Sequence, residues 1–422
     1  MKTTILPCLL PLTIACNGAP KTPVDVDAPS VESVAVTLTL RDPDGVTSSA
    51  NFVAFRDGAG EWQELTGTAG VYTASVTSGR YGFWVGCVRA TGSGRNRLIY
   101  RAVGDTTELV TASCTLTTLP LTIGGTLGGL GADDTAEISS LSSTDVPNDA
   151  TYEVGARAGR AELLASRVGV DSNATSVIRL NLGDISANVV RDIDFTQEGQ
   201  APVHVPLTVT NRHAEDLSFD ALTGIYSGGG SMYLPFTSVP TDTTTVLALP
   251  AAMQLPDDII DTTISASRPI GDSNLLDRRS TGVFNAAIPS TLALPNSVSF
   301  GDATIEIPFS ISWTLPALPL AEADVVNSLI FAANSDNKSV ILAIDASRSW
   351  LAGATVLDVP APPNLQAALA PATGISWLVD YITGDVKSAW NAAGTSGSQT
   401  AKPSRVFDHD HLRILRMERM RP

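Results

Sequence analysis

The sequence predicts an all-β chain of tandem β-sandwich modules, and three observations carry that expectation. Short segments alternate apolar with small polar residues, the period-two pattern of a strand with one buried face. Clusters of Asp, Pro and Gly separate those segments, and each of these residues supplies a particular turn geometry. Long amphipathic helical patterns are hard to find, and the best stretch, Val356–Ala370, opens on several prolines. Many short strands with regular turns imply sandwiches.

The first residues read as an export signal. Met1-Lys2-Thr3-Thr4 is a short positive end, followed by an apolar run from Ile5 to Ile14. That run is shorter than the roughly 20 apolar residues of a membrane-spanning helix, and Pro7 and Pro11 interrupt it. Residues 1–15 are therefore expected to be cleaved, Cys8 with them. The sequence Leu12-Thr13-Ile14-Ala15-Cys16 resembles the lipobox of bacterial lipoproteins, with Thr13 where that family usually has Leu. The resemblance implies that the Cys16 thiol carries a diacylglycerol and becomes the first residue. The alternative is plain secretion after Ala15 or a few residues later. Asn17 to Ser30 is rich in Pro, Ala, Asp and Val without a hydrophobic period. Such a segment buries too little apolar surface to offset its ordering entropy, so residues 16–30 read as a flexible tether.

Strand patterns begin at Val34–Leu40 and recur at Val71–Val76, Tyr81–Val85, Val203–Val209 and Ile305–Trp313. Turns are expected at Asp42–Gly45, Asp57–Gly60, Ser78-Gly79 and Ser227–Gly230. An internal echo divides the first half. Tyr72 is followed by Gly79-Arg80 and an apolar run, and Tyr152 by Gly159-Arg160 and Ala161–Ala165. Upstream, Leu38-Thr-Leu40 parallels Leu121-Thr-Ile123. Repetition of this kind marks successive modules of one plan. The expected organisation is a first sandwich over 31–117, a second over 118–200, a β-rich module over 201–300 and a β-rich C-terminal module over 301–422.

The segment Asp57-Gly-Ala-Gly-Glu-Trp62, then Tyr72, Gly79-Arg-Tyr-Gly-Phe83 and Cys87 resembles the carboxypeptidase-regulatory-like and immunoglobulin-like (prealbumin-like) modules of exported bacterial proteins. The resemblance covers about residues 31–200. It implies sandwich architecture and roles as spacers, adhesive units or carbohydrate-contacting units, without selecting among them.

With Cys16 lipidated, Cys87 and Cys114 remain as an even pair in an oxidising compartment. A disulfide between them is expected, and closing a loop of that length contributes about 3–4 kcal/mol in the chain-entropy model. Two buried thiols are the alternative.

Formal net charge is −16, the wrong sign for a phosphate backbone, so nucleic acid is not an expected partner. The tail reverses sign with Arg405, Arg413, Arg416, Arg419 and Arg421; it reads as a solvated terminus, with contact to acidic lipid or polysaccharide as the alternative. The run Gly124–Gly131 precedes Asp133 and Asp134, which would repel phosphate, so it reads as a flexible turn and not as a nucleotide loop. No Gly-x-Ser-x-Gly occurs, and His204, His213, His409 and His411 are the only histidines, so a serine triad has no support. His409 and His411 would share one face of a strand, making them weak metal candidates that lack a marked third ligand. Asp42–Gly45 lacks the EF-hand spacing, and calcium bridging by Asp133, Asp134 and Asp149 is the lesser reading beside solvated turns. The tryptophans at 62, 84, 313, 350, 377 and 390 read mainly as core, with any exposed cluster a candidate sugar platform. No cofactor is expected.

The functional expectation is a lipid-anchored protein of the cell envelope, at the outer membrane on its surface or periplasmic face, engaged in adhesion or in protein or glycan binding without catalysis. A secreted or surface hydrolase acting on polymer is the alternative.

Overall fold

The computed structural model describes residues 32–295 apart from 42–49, 51, 88–95, 105–106, 113–120, 148–149, 172, 217, 228–230, 238–241 and 270–275. Beyond these it describes 304–306, 310–314, 325–333, 339–351, 356–358, 374–383 and 412–420. The architecture is all-β, in tandem sandwiches.

The first set of strands is β1 (Val34–Arg41), β2 (Phe52–Asp57), β3 (Gln63–Glu64), β4 (Val71–Val76), β5 (Tyr81–Cys87), β6 (Asn96–Val103) and β7 (Glu108–Ala112). β1 pairs antiparallel with β4 and parallel with β7. The second layer runs β3-β2-β5-β6. Leu38 and Leu40 of β1 and Phe83 and Trp84 of β5 are fully buried.

The second set repeats this plan. It comprises β8 (Leu121–Gly128), β9 (Thr135–Ser139), β10 (Ser143–Pro147), β11 (Thr151–Ala156), β12 (Gly159–Val168), β13 (Ala174–Ile185), β14 (Val189–Val190), β15 (Ile193–Asp194) and the one-turn helix α1 (Phe195–Glu198). β8 pairs antiparallel with β11 and parallel with β14 and β15, opposite a sheet ordered β10-β9-β12-β13. Its core holds Ile123, Ile138, Val154, Leu163 and Ile178.

The third set has the same connectivity without the sequence echo. Its strands are β16 (Val203–Thr210), β17 (Ser218–Tyr226), β18 (Ser231–Thr237), β19 (Thr243–Ala248), β20 (Ile259–Pro269), β21 (Leu276–Asn285) and β22 (Thr291–Ala293). β16 takes β19 antiparallel and β22 parallel, facing β18-β17-β20-β21. Arg279 on β21 is fully buried and paired with Asp216 through bonds of 2.8 and 2.7 Å. A second nitrogen of that guanidinium donates to the Pro295 carbonyl, so the buried charge is paired, while its Nε has no hydrogen-bond partner among the described residues.

Beyond Gly301 come β23 (Thr304–Glu306), β24 (Ser310–Thr314), β25 (Val325–Ala333), β26 (Ser339–Ser347), the one-turn helix α2 (Arg348–Leu351), β27 (Val356–Asp358), β28 (Gly374–Thr383) and β29 (Leu412–Met420). The order β26-β25-β28-β29 reproduces the four-stranded layer, and β24 pairs antiparallel with β27. Here β24 takes β23 antiparallel on its other edge.

Three of the four-stranded layers join edge to edge into one twelve-stranded sheet. β21 pairs antiparallel with β29, and β26 pairs parallel with β6. Pairing removes the open edges that otherwise invite aggregation. No helix among the described residues is long and apolar enough to cross a membrane.

Three expectations change. The single strand expected over Ile305–Trp313 is two, β23 and β24, which pair antiparallel with Ile305 opposite Ile311. The basic tail is not a solvated terminus over 412–420, because that segment is β29, hydrogen-bonded on both sides. The run Gly124–Gly131 is not a flexible turn over most of its length, because β8 extends through Gly128. A Cβ at Gly125 would collide with the Arg191 carbonyl, and one at Gly124 would lie 3.1 Å from the Tyr152 carbonyl. Glycine is used there for close backbone approach within a strand.

The echo itself marks a turn. Gly79 and Gly159 both have positive φ, 72° and 105°, and both connect the fourth strand of a set to the fifth. Positive φ is a conformation that glycine adopts without the penalty of a Cβ. In the third set the same connection is the ten-residue segment 249–258, which is why no third echo is visible.

Candidate functional site

The glycine-rich strand β8 forms one wall of a pocket in the second sandwich. With no side chains at 124, 125, 128 and 129, the segment after β13 folds back closely onto it. Gly129, at φ 80°, lies where a Cβ would meet the Asp194 Oδ1 at 2.6 Å. The resulting open pocket has a volume of about 530 Å³, lined by Thr126, Leu127, Gly128, Arg191, Asp192, Ile193, Asp194, Gln197 and Glu198. That size is ordinary for a small-ligand site, but the lining is more polar than most.

Its carboxylates are tied to the backbone. Asp192 Oδ1 accepts bonds from the Thr126 N–H and hydroxyl, both 2.8 Å, and these bonds lower its pKa. Asp194 caps α1, accepting from the Thr196 hydroxyl at 2.6 Å and N–H at 2.8 Å, which lowers its pKa too. Glu198 is ion-paired with Arg191, and the Tyr152 hydroxyl donates to the Arg191 carbonyl. A general acid in glycoside cleavage needs a raised pKa; Asp192 and Asp194 are held the other way. The pocket suits acceptance of hydrogen bonds from hydroxyl or ammonium groups.

A second polar centre joins the second and third sandwiches. Arg179 on β13 donates to Asp258 at 2.6 and 2.8 Å and to Glu162 Oε2 at 3.0 and 2.7 Å. It also donates to the Met253 carbonyl at 2.8 Å. Burial opposes the Arg179 charge, and the bonds to Asp258 and Glu162 outweigh it, so its pKa rises. Glu162 accepts from the Ser227 hydroxyl at 2.9 Å as well. Beside this centre lies an apolar cluster of Leu164, Ala174 and Val177 from one sandwich with Ile225, Met232, Leu234, Leu247 and Leu249 from the next. Asp258 and Met253 belong to the 249–258 connection, so the departure from the echo builds the joint.

The arginines of the echo share a role. Arg160 binds Glu162 at 2.7 Å and reaches Asp257 of the third sandwich at 3.0 Å. Arg80 stacks on Trp350 of α2, 5.1 Å from the ring centroid, and donates to the Trp350 carbonyl. In both repeats the residue after the turn glycine bridges to another sandwich.

The other predicted residues are placed as follows. Trp84 is core, packed on Tyr100 with centroids 5.0 Å apart. Trp62 is half-buried, edge-on to Tyr100 and covered by Arg56. Asp134 is engaged by Arg167 at 2.6 Å, and His204 is exposed on β16. Cys87 ends β5; Cys16, Cys114, His409, His411, Trp390, Asp149 and Asp42–Gly45 lie outside the described residues. Among the described residues no group of three His, Cys, Asp or Glu side chains converges as a metal site. Sequence reasoning missed Arg179, Glu162 and Asp258. The available signal was a charge inside an apolar strand run, as in Ala161-Glu162-Leu163-Leu164.

Comparison with known proteins yields no matching family model and no matching curated protein. Among solved structures, the TIE protein of Bacillus anthracis aligns at TM-score 0.16 and 7% identity, over 56% of this chain and 46% of that one. This chain thus spans under half of that protein's length. A DUF3823 family protein from Bacteroides ovatus aligns at TM-score 0.13 and 11% identity, over 39% and 90% of the two chains. A streptococcal ancillary pilin aligns at TM-score 0.14 and 9% identity, over 62% and 98%. Superposition at this level establishes no common fold, and the architecture described above stands on its own strand pairing.

Proposed function

We infer that this chain is a binding protein of the cell envelope, anchored by lipid on Cys16, whose tandem sandwiches act as a stiff scaffold for adhesion or for protein or glycan contact, without catalysis. The observation that carries this reading is the joint around Arg179. A guanidinium held by two carboxylates and a carbonyl, beside a shared apolar cluster, fixes two sandwiches in one orientation. A flexible string of spacers has no use for such a joint, whereas a surface assembled from several sandwiches does. The tether expected over residues 16–30 gives that scaffold reach, and loops at sandwich ends supply contacts. The pocket beside Asp192 and Asp194 is the leading ligand site, for a hydroxyl-rich or cationic group.

The test has two arms. Cys16→Ala is expected to move the chain from the membrane fraction to the soluble fraction; retention at the membrane overturns the lipid anchor. The intact chain is expected to bind immobilised glycans or envelope proteins saturably and to release no product from them. Release of soluble fragments from the same polymers would replace the binding reading with the hydrolase one.

A further inference from the structure

β29 fills a gap between two sandwiches. It makes nine register pairs with β21 of the third and seven with β28 of the fourth. β21 and β28 are not paired with each other, so without β29 each would present a ten-residue open edge. The Cα register partners residues of opposite sign: Arg419 with Asp277, Glu418 with Arg278, and Arg416 with Asp380. Opposite-charge pairs of this kind pin register and partner.

The covalent route to this position is unusual within the chain. The fifth and sixth strands of the first three sets are joined through 88–95, 169–173 and 270–275. β28 and β29, adjacent and antiparallel, are joined through 384–411. A short hairpin would tie β29 to its own neighbour. A connection of this length reaches on the order of 90 Å when extended, at about 3.3 Å per residue, against the ~4.8 Å spacing of neighbouring strands. Connectivity therefore does not dictate whose gap β29 occupies.

We propose that β29 is an exchangeable strand, which enters the gap between β21 and β28 of a second copy of this chain as well as its own. Each backbone bond and charge pair is the same in either arrangement, so the balance is set by effective concentration. Covalent attachment gives a chain's own segment an effective concentration on the order of millimolar. Dilute copies are monomers, and copies crowded to a comparable concentration join through β29. Crowding at a membrane rests on the anchored reading above; exchange itself does not.

Two full-length charge-reversed chains test this. One carries Asp277→Arg and Asp380→Arg in the gap; the other carries Arg416→Asp and Arg419→Asp in the strand. Each alone opposes like charges across its own β29, while together each supplies the strand the other accepts. Mixing them in solution is expected to produce a 1:1 dimer by sedimentation. Amide exchange over 412–420 is expected to slow roughly tenfold relative to either chain alone, the effect of replacing two like-charge pairs by opposite ones. The chain carrying all four substitutions is expected to be monomeric when dilute, with 412–420 protected. A mixture that stays monomeric while that chain is protected overturns exchange. Absence of protection in the four-substitution chain overturns the register on which exchange stands. Neither result touches glycan or protein binding, which is measured separately.

Discussion

Arg179 and Asp258, seventy-nine positions apart in the chain, meet through two hydrogen bonds of 2.6 and 2.8 Å across the junction of the second and third sandwiches. Their side chains are 5% and 6% exposed, so each carboxylate and guanidinium depends on the other for the solvation it has lost.

Arg179→Ala is therefore expected to destabilise the chain by about 3–5 kcal/mol, the range for removing one partner of a buried pair. Denaturant unfolding measures this, and the loss of coupling should split a shared transition of the two sandwiches into two. Arg160→Ala serves as the contrast. Arg160 is 38% exposed while its partner Glu162 is fully buried; Arg179 still holds the other Glu162 oxygen, so loss of Arg160 should cost less, about 1–2 kcal/mol. Equal effects of the two substitutions would contradict the assignment of the joint to Arg179.

Acid should loosen the turn between β4 and β5. Partial burial pushes the Asp57 pKa up, but bonds from the hydroxyls and N–H groups of Ser78 and Thr77 outweigh it and bring the value down to about 2. A depressed carboxylate pKa contributes stability that is present above its unfolded value, about 3.9, and is lost as pH falls through the folded value. Stability should fall between about pH 4 and pH 2, and Asp57→Asn should flatten that part of the profile. Carboxyl chemical shifts followed through the same range would read the Asp57 value directly; an ordinary value near 4 would refute the account.

Gly125→Ala should expel the segment that lines the pocket, because the new methyl occupies the place of the Arg191 carbonyl. The expected destabilisation is about 1–3 kcal/mol, as for overpacking elsewhere, with faster proteolysis after Arg191. A substitution tolerated without either effect would mean that glycine is not required there.

In the third sandwich Thr223 and Thr262 stand opposite each other on β17 and β20, both fully buried, and their hydroxyls have no hydrogen-bond partner among the described residues. An unsatisfied buried hydroxyl is destabilising. Thr223→Val and Thr262→Val should each raise stability by about 1 kcal/mol, read as a higher melting temperature; a fall at either position would reveal a partner.

The sequence alone determined what depends on neighbours in the chain. Alternation placed β1, β4, β5 and β16, since a strand with one wet face must alternate. Gly79 and Gly159 announced their turns because a positive φ is strongly biased toward one residue type. Tertiary structure decided the rest. Whether Gly124 and Gly125 formed a loop or a crowded strand depended on Arg191 and Tyr152, far along the chain. The third sandwich escaped the echo because strand pairing tolerates any residues of suitable pattern, while its connection 249–258 was remade into a joint. Arg179, Glu162 and Asp258 are ordinary charges until three segments converge and remove their water, and Arg416 and Arg419 are a basic tail until β21 and β28 flank them. Pairing partners and desolvation are properties of the folded neighbourhood, and no local pattern carries them.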